Sequence, residues 1–164
     1  MDAPAAQLSQ DHSRVLLALL QRLPLTEINW ALTGSLGHHL QGVPVSVHDI
    51  DIQTDEASAW IIDSLLRDQV RQPASWRFSE KIRSIFGSYE LDGVTVELMG
   101  ALSKRPTPAD SWAKPTNPLD HRMIVEWKHL QVPVMSLSYE VQAYRAIGRA
   151  ERADLLFRYL PKSS

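Results

Sequence analysis

The chain has 164 residues, 44% of them hydrophobic and 22% charged, a balance that suits a folded domain and excludes a disordered, collagen-like or coiled-coil chain. Lys and Arg number 17 against 19 Asp and Glu, so no overall positive field draws nucleic acid, although a local basic patch stays open. There is no cysteine, which removes disulfides, thiolate nucleophiles and Cys-ligated zinc or iron–sulfur sites and fits a cytoplasmic enzyme.

Residues 1–8, Ala-rich with Pro4, read as a flexible lead-in to one domain over 9–160. The apolar run Val15 to Leu20 is far shorter than the roughly 20 residues that span a bilayer, and the acidic start lacks the basic region of a signal peptide, so no targeting segment is read. A helix is expected from Ser9 or Asp11 to Leu23, with Val15, Leu16, Leu19, Leu20 and Leu23 at helical spacing and Pro24 as its stop. Residues 28–32 form a short buried strand, broken by Thr33-Gly34-Ser35 before a short helix through Leu36 and Leu40 to Gly42.

After Pro44 the pattern alternates from Val45 to Gln53, with Asp49, Asp51 and Gln53 on one face of a strand and Ile50 and Ile52 on the other. Thr54 or Asp55 caps the next helix, whose apolar stripe is Trp60, Ile61, Leu65 and Leu66. Strands over 82–91 and 94–99 flank Asp92-Gly93, a two-residue hairpin turn signal. The Pro-rich stretch 103–118, containing Trp112, is a loop. Short strands follow over 123–127 and 130–134. A helix capped by Ser136 or Ser138 carries Leu137, Val141, Tyr144 and Ile147 on its apolar face and ends at Gly148, and a last helix runs over 150–160.

The chemistry concentrates in two pieces. Gly34-Ser35 opens a helix, and such a turn offers backbone N–H groups, a hydroxyl and a helix N-terminus to a phosphate. Fourteen residues beyond Ser35 stands Asp49-Ile50-Asp51, whose carboxylates leave one face of a strand roughly 7 Å apart, close enough to share divalent cations such as Mg²⁺. Together they describe a site for a metal–nucleotide. A rival zinc site from His38, His39, His48 and Asp49 fails on spacing, because neighbouring His38 and His39 diverge on a helix and no H-E-x-x-H motif exists; such a pair reads as solvated.

Leu32 or Thr33 followed by Gly34-Ser35 and then Asp49-Ile50-Asp51 resembles the signature of the nucleotidyltransferase superfamily related to DNA polymerase β. The resemblance spans residues 30–100 and is closest to small single-domain members akin to aminoglycoside and lincosamide nucleotidyltransferases. It implies an α/β (α+β) nucleotidyltransferase fold, a mixed twisted sheet flanked by helices, with a catalytic core over 30–100 and a C-terminal helical segment over 119–160. It also implies a third carboxylate on a later strand, matched by Glu97, as metal ligand or general base. Asp49, Asp51 and Glu97 would then hold two Mg²⁺ ions, and Gly34 and Ser35 the β,γ-phosphates of ATP or another NTP.

Basic residues that can reach nucleotide phosphates are Arg83 and Lys104, with Arg105 beside the latter. Arg145, Arg149 and Arg152 form a basic stripe on the last helices, and Tyr139, Glu140 and Tyr144 offer groups to an acceptor. The implied reaction is Mg²⁺-dependent transfer of a nucleoside monophosphate, AMP from ATP by family resemblance alone, to a hydroxyl of a small molecule or macromolecule. Nucleic acid is disfavoured as acceptor, no membrane partner is read, and a homodimer can complete the acceptor surface. The alternative is a partner-binding or protein-modifying nucleotide-binding module of toxin–antitoxin type.

Overall fold

A computed structural model describes residues 7–162, so 1–6, most of the expected lead-in, lie outside the described residues, as do 163–164. Seven strands form one mixed sheet: β1 (Trp30–Thr33), β2 (Ile50–Thr54), β3 (Val70–Phe78), β4 (Ile82–Leu91), β5 (Val94–Lys104), β6 (Arg122–Trp127) and β7 (Leu130–Met135), in the order β3-β4-β5-β2-β1-β7-β6. The β1–β7 and β2–β5 pairs are parallel and the other four antiparallel. Five helices flank the sheet: α1 (Gln10–Arg22), α2 (Gly34–Leu40), α3 (Glu56–Leu65), α4 (Leu137–Ala146) and α5 (Ala150–Arg158). This is the expected mixed α/β architecture with a C-terminal helical segment. Among the described residues no helix is long and apolar enough to cross a membrane.

One face of the sheet is closed by α1 and α3. Val15, Leu16 and Leu19 of α1 and Ala59 and Ile62 of α3 bury Trp30, Leu32, Ile50, Ile52, Ile85, Tyr89, Val96 and Leu98 into one apolar core. Trp30 is wholly enclosed and donates its indole N–H to the Leu23 carbonyl at 2.9 Å, so its one polar atom is satisfied. A second core joins Leu137 and Val141 of α4 to Ala153 and Leu156 of α5, over Val43. Side-chain caps appear where short polar residues precede a helix: Ser9 accepts from His12 N–H, Asp55 from Ser58 and Ser136 from Tyr139.

Asp92 and Gly93 turn β4 into β5 with both residues in the left-handed region, φ 47° and 80°, as a two-residue hairpin demands. Lys128 and His129 make the equivalent turn between β6 and β7 without glycine, φ 49° and 64°. Ala101, at φ 51°, is a bulge: between the pairs Ile85–Gly100 and Arg83–Ser103, β5 spends one residue more than β4. The extra residue reverses the alternation, so Leu102 and Lys104 join Met99 beside one cleft while Ser103 takes the opposite face.

Four expectations are corrected. The strand expected from Val45 begins only at Ile50, and 43–49 is irregular, so Asp49 stands just before β2 on an exposed bend. Strand β3, unassigned from sequence, carries Pro73 inside a slip in its register with β4, which an edge strand tolerates because one side needs no ladder bonds. His38, expected on a solvated side of α2, is wholly buried. Finally, α3 does not bury Trp60, Ile61 and Leu65, which are 39%, 44% and 39% exposed; its inner face is Ala59, Ile62, Asp63 and, past its end, Leu66.

Asp63 turns inward because it is fully used. Its carboxylate accepts from the Tyr89 hydroxyl at 2.6 Å, the Ala74 backbone N–H at 2.9 Å and Arg67 at 3.0 Å, joining α3 to β4 and to the edge strand β3. Burial, and then this bond, raise the Tyr89 hydroxyl above its ordinary pKa. Replacing Asp63 by Ala leaves a buried hydroxyl and a backbone N–H without an acceptor, and the expected loss is about 2–4 kcal/mol in urea unfolding, with Asp63→Asn losing less. A loss below about 0.5 kcal/mol would show that water replaces the carboxylate there.

Candidate active site

Strand β1 ends at Thr33, and Gly34 enters the left-handed region at φ 69° to start α2. No other residue type fits: a Cβ on Gly34 would run into the Asp51 carboxylate as well as strain the backbone. The glycine thus lets the turn close onto an acidic side chain. Thr33 occupies the cap position of α2 without bonding its own helix, because its hydroxyl donates to Glu140 of α4.

The register of three strands assembles the rest. Thr33 pairs with Asp51 across β1–β2, and Asp51 pairs with Glu97 across β2–β5. Directly paired residues share a face, so Thr33, Asp51 and Glu97 lie in a row on the side opposite α1 and α3. Asp49 stands close enough to act electrostatically on both Asp51 and Glu97. Asp51 is pushed up to about 7, first by burial and then by the charges of Glu97, Asp49 and Glu140. Glu97 is raised by burial and by Asp49, and Arg77 opposes this. The carboxylates are grouped but not closed: among the described residues no three His, Asp or Glu side chains reach the spacing of a formed metal centre.

Ser35 is half-buried, and its hydroxyl accepts from the His48 backbone N–H at 3.3 Å, tying the bend before Asp49 to the start of α2. His12 of α1 fixes the same bend from outside, donating Nε2–H to the His48 carbonyl at 2.6 Å. The structure therefore brings together Gly34, Ser35, Asp49, Asp51 and Glu97. Lys104 faces the neighbouring cleft beside Thr33, Gln53 and Glu140. Arg83 is not brought to the group: it pairs with Ser103, on the face opposite Lys104, and its guanidinium lies 5.0 Å from the centre of the Trp112 ring. Trp112 is held on another side by Arg105 at 4.0 Å, so the Pro-rich loop is pinned by two guanidinium contacts.

Arg77 carried no sequence signal, and Gln53, Glu140 and Arg152, noted in the sequence for other reasons, take contacts it did not foretell. Arg77 of β3 stacks 4.0 Å over Phe86 and places a cation near Glu97. Gln53, almost wholly buried on the carboxylate face, donates to the Tyr139 hydroxyl at 3.0 Å. Glu140 is buried beneath α4, accepting from Thr33 and from His38 Nε2 at 2.7 Å. Arg152 of α5 lies 3.1 Å from His38 Nδ1. A guanidinium only donates, so Nδ1 accepts, and the Nε2–H of a neutral imidazole serves Glu140.

Residues 15–156 match the family model described as aminoglycoside-2''-adenylyltransferase. A crystal structure of a candidate nucleotidyltransferase from Thermotoga maritima is 40% identical over 93% of this chain and 94% of that one, with a TM-score of 0.82. No curated protein matches the chain. The turn and the carboxylate row lie within the matched residues, and the chain belongs to the aminoglycoside-2''-adenylyltransferase family, within the nucleotidyltransferase superfamily.

Proposed function

We propose that the protein is a magnesium-dependent nucleotidyltransferase that moves AMP from ATP onto a hydroxyl of an acceptor. The observation that carries this reading is the row in which the Gly34 turn meets Asp51 and Asp51 meets Glu97. The adenylyl group follows the description of the family, whose members are named for transfer to the 2'' position of an aminoglycoside.

The donor set suits a divalent cation. Glu97, Asp49 and Glu140 all act on Asp51, which holds its proton above the ordinary carboxylate range, and the side-chain ligand atoms of Asp49, Asp51 and Glu97 are oxygens, the preference of Mg²⁺. Asp49 and Asp51 would hold the ion or ion pair, with Glu97 within reach. Bound there, Mg²⁺ neutralises charge on the phosphate oxygens.

The chain's own groups then divide the work. The Gly34 backbone and the Ser35 hydroxyl face the β- and γ-phosphates. Glu97, abreast of Asp51 on the neighbouring strand, receives the acceptor's proton. The acceptor oxygen forms a bond to the α-phosphorus as the bond from that phosphorus to the β-bridging oxygen breaks, and pyrophosphate leaves with the electron pair. Positioning and charge stabilisation supply the rate, since no covalent intermediate is needed.

Incubation with each labelled NTP, Mg²⁺ and a panel of hydroxyl acceptors is expected to label the acceptor from ATP. Asp49→Ala and Asp51→Ala each should lower transfer by at least ~10³-fold, in the range of lost charge stabilisation in an active site. Transfer that survives both substitutions would sink the site. Glu97→Gln is expected to lower kcat by about 10²-fold or more while the Mg²⁺ concentration for half-maximal rate moves little. A large rise in that concentration would make Glu97 a metal ligand instead.

Stability in magnesium-free buffer reports the same charge. The folded chain binds the Asp51 proton more tightly than the unfolded chain, so stability falls as pH rises from the ordinary carboxylate range through about 7. Asp51→Asn removes that cost. The variant should melt at least ~4 °C above the parent at pH 8 and level with it at pH 4, at roughly 2–4 °C per kcal/mol for this chain length. An equal gain at both pH values would trace the effect to packing.

A further inference from the structure

We infer that the β6 edge of the sheet is a self-pairing surface whose partner is a second copy of this chain, joined antiparallel and centred on Ile124. The inference stands apart from the transfer reading and needs no nucleotide.

An edge strand offers a row of backbone groups that another strand can take, and the two edges of this sheet differ in how open that row is. At one, β3 carries Pro73 and two slips in its register with β4, which break up a regular ladder. At the other, β6 runs without proline or bulge, paired residue for residue with β7 from Arg122–Met135 to Trp127–Leu130. Among the described residues no strand lies beyond β6. Met123 and Ile124, one on each face of the strand, stay exposed, as does Leu130 of β7.

The alternation of the ladder fixes which groups point outward. Lys128 and His129 close a two-residue turn, so Trp127 and Leu130 exchange both backbone bonds, and Val125 and Met123 do the same with their own partners on β7. Arg122, Ile124 and Glu126 therefore direct their N–H and carbonyl groups away from β7. Among the described residues no loop backbone takes those groups. An incoming copy must set outward residue against outward residue, which limits the register to steps of two. Centred on Ile124, the pairing uses all three positions: Ile124 meets Ile124, and Arg122 meets Glu126 twice. A pairing centred on Arg122 or on Glu126 sets like charges directly opposite each other, and the intermediate registers leave a charge against Ile124.

The side chains fit the Ile124 register. Among the described residues Arg122 forms no ion pair, its Nη1 has no hydrogen-bond partner, and Glu126 reaches only His129, at 3.5 Å. Both lie on the face that carries Ile124, so each guanidinium gains the carboxylate of the other copy beside an isoleucine contact. On the opposite face Met123 meets Val125, at positions where the two backbones approach more closely. The two-fold axis makes each of these contacts occur twice. It runs perpendicular to the sheet, so both carboxylate rows open on the same side, each separated from the axis by its own β1, β7 and β6. Neither site borrows a residue from the other copy.

Sedimentation equilibrium of the full chain tests this. The wild type is expected to dimerise with a dissociation constant at or below ~100 µM, the range of a small interface. Arg122→Glu and Glu126→Arg each set like charges opposite each other and should weaken the dimer at least ~10-fold. Mixed one to one, these two variants regain opposite charges at both positions and should associate as the wild type does, which misfolded chains would not. Ile124→Pro removes the outward N–H at the centre, spares the bonds to β7, and should leave a monomer. A wild type that stays monomeric over that range overturns the proposal. So does a dimer indifferent to all three substitutions, or a mixture no more associated than its components.

Discussion

The pairing of β2 with both β1 and β5 is the constraint on which the site hangs. It sets Thr33, Asp51 and Glu97 abreast, and in a sheet a slip of one residue would turn each to the other face. What prevents the slip is the apolar side of the same strands. Ile50, Ile52, Val96 and Leu98 are all but wholly buried against α1 and α3, and exposing any one would cost roughly 1.5–3 kcal/mol. Packing on one face therefore holds carboxylates together on the other, where burial first and then the charges of Glu97, Asp49 and Glu140 push the Asp51 pKa up to about 7.

A second constraint links the C-terminal helices to the Gly34 turn. Glu140 of α4 accepts from Thr33, the residue immediately before the turn, and from His38 in α2, and His38 in turn accepts from Arg152 of α5. A buried carboxylate persists only when its lone pairs are met, and here donors from the turn and from α2 meet them. Helix α4 also walls the cleft that Lys104 faces, through Tyr139, Ala143 and Tyr144. Helix α4 is thus bonded to the Gly34 turn and to α2, and neither side can shift by a turn without unpairing Glu140.

The parts of this arrangement legible in the sequence are those fixed by neighbours along the chain. Asp51 declares its face by alternation with Ile50 and Ile52, Asp92-Gly93 its left-handed turn, Gly34-Ser35 its break, and Ser9, Asp55 and Ser136 their helix starts. The parts that were not legible depend on distant partners. Asp63 reads as a polar residue for the outside of α3, and only Tyr89 and Ala74 give it reason to turn inward while Trp60 turns out. His38 is buried because Glu140 and Arg152, more than a hundred residues later, take both ring nitrogens. The Ala101 bulge leaves no composition signal, yet it decides that Lys104 enters the cleft and that Ser103, with Arg83 paired to it, does not.

That one-residue bulge also sorts the charge. The chain as a whole carries a formal net charge of −2, but on the face below α4 the carboxylates gather at Asp49, Asp51 and Glu97 and the cations at Lys81, Lys104 and Lys114. Without the bulge, Lys104 would fall on the covered side of the sheet, and the cleft beside Thr33 and Glu140 would lose the one cation that β5 gives it.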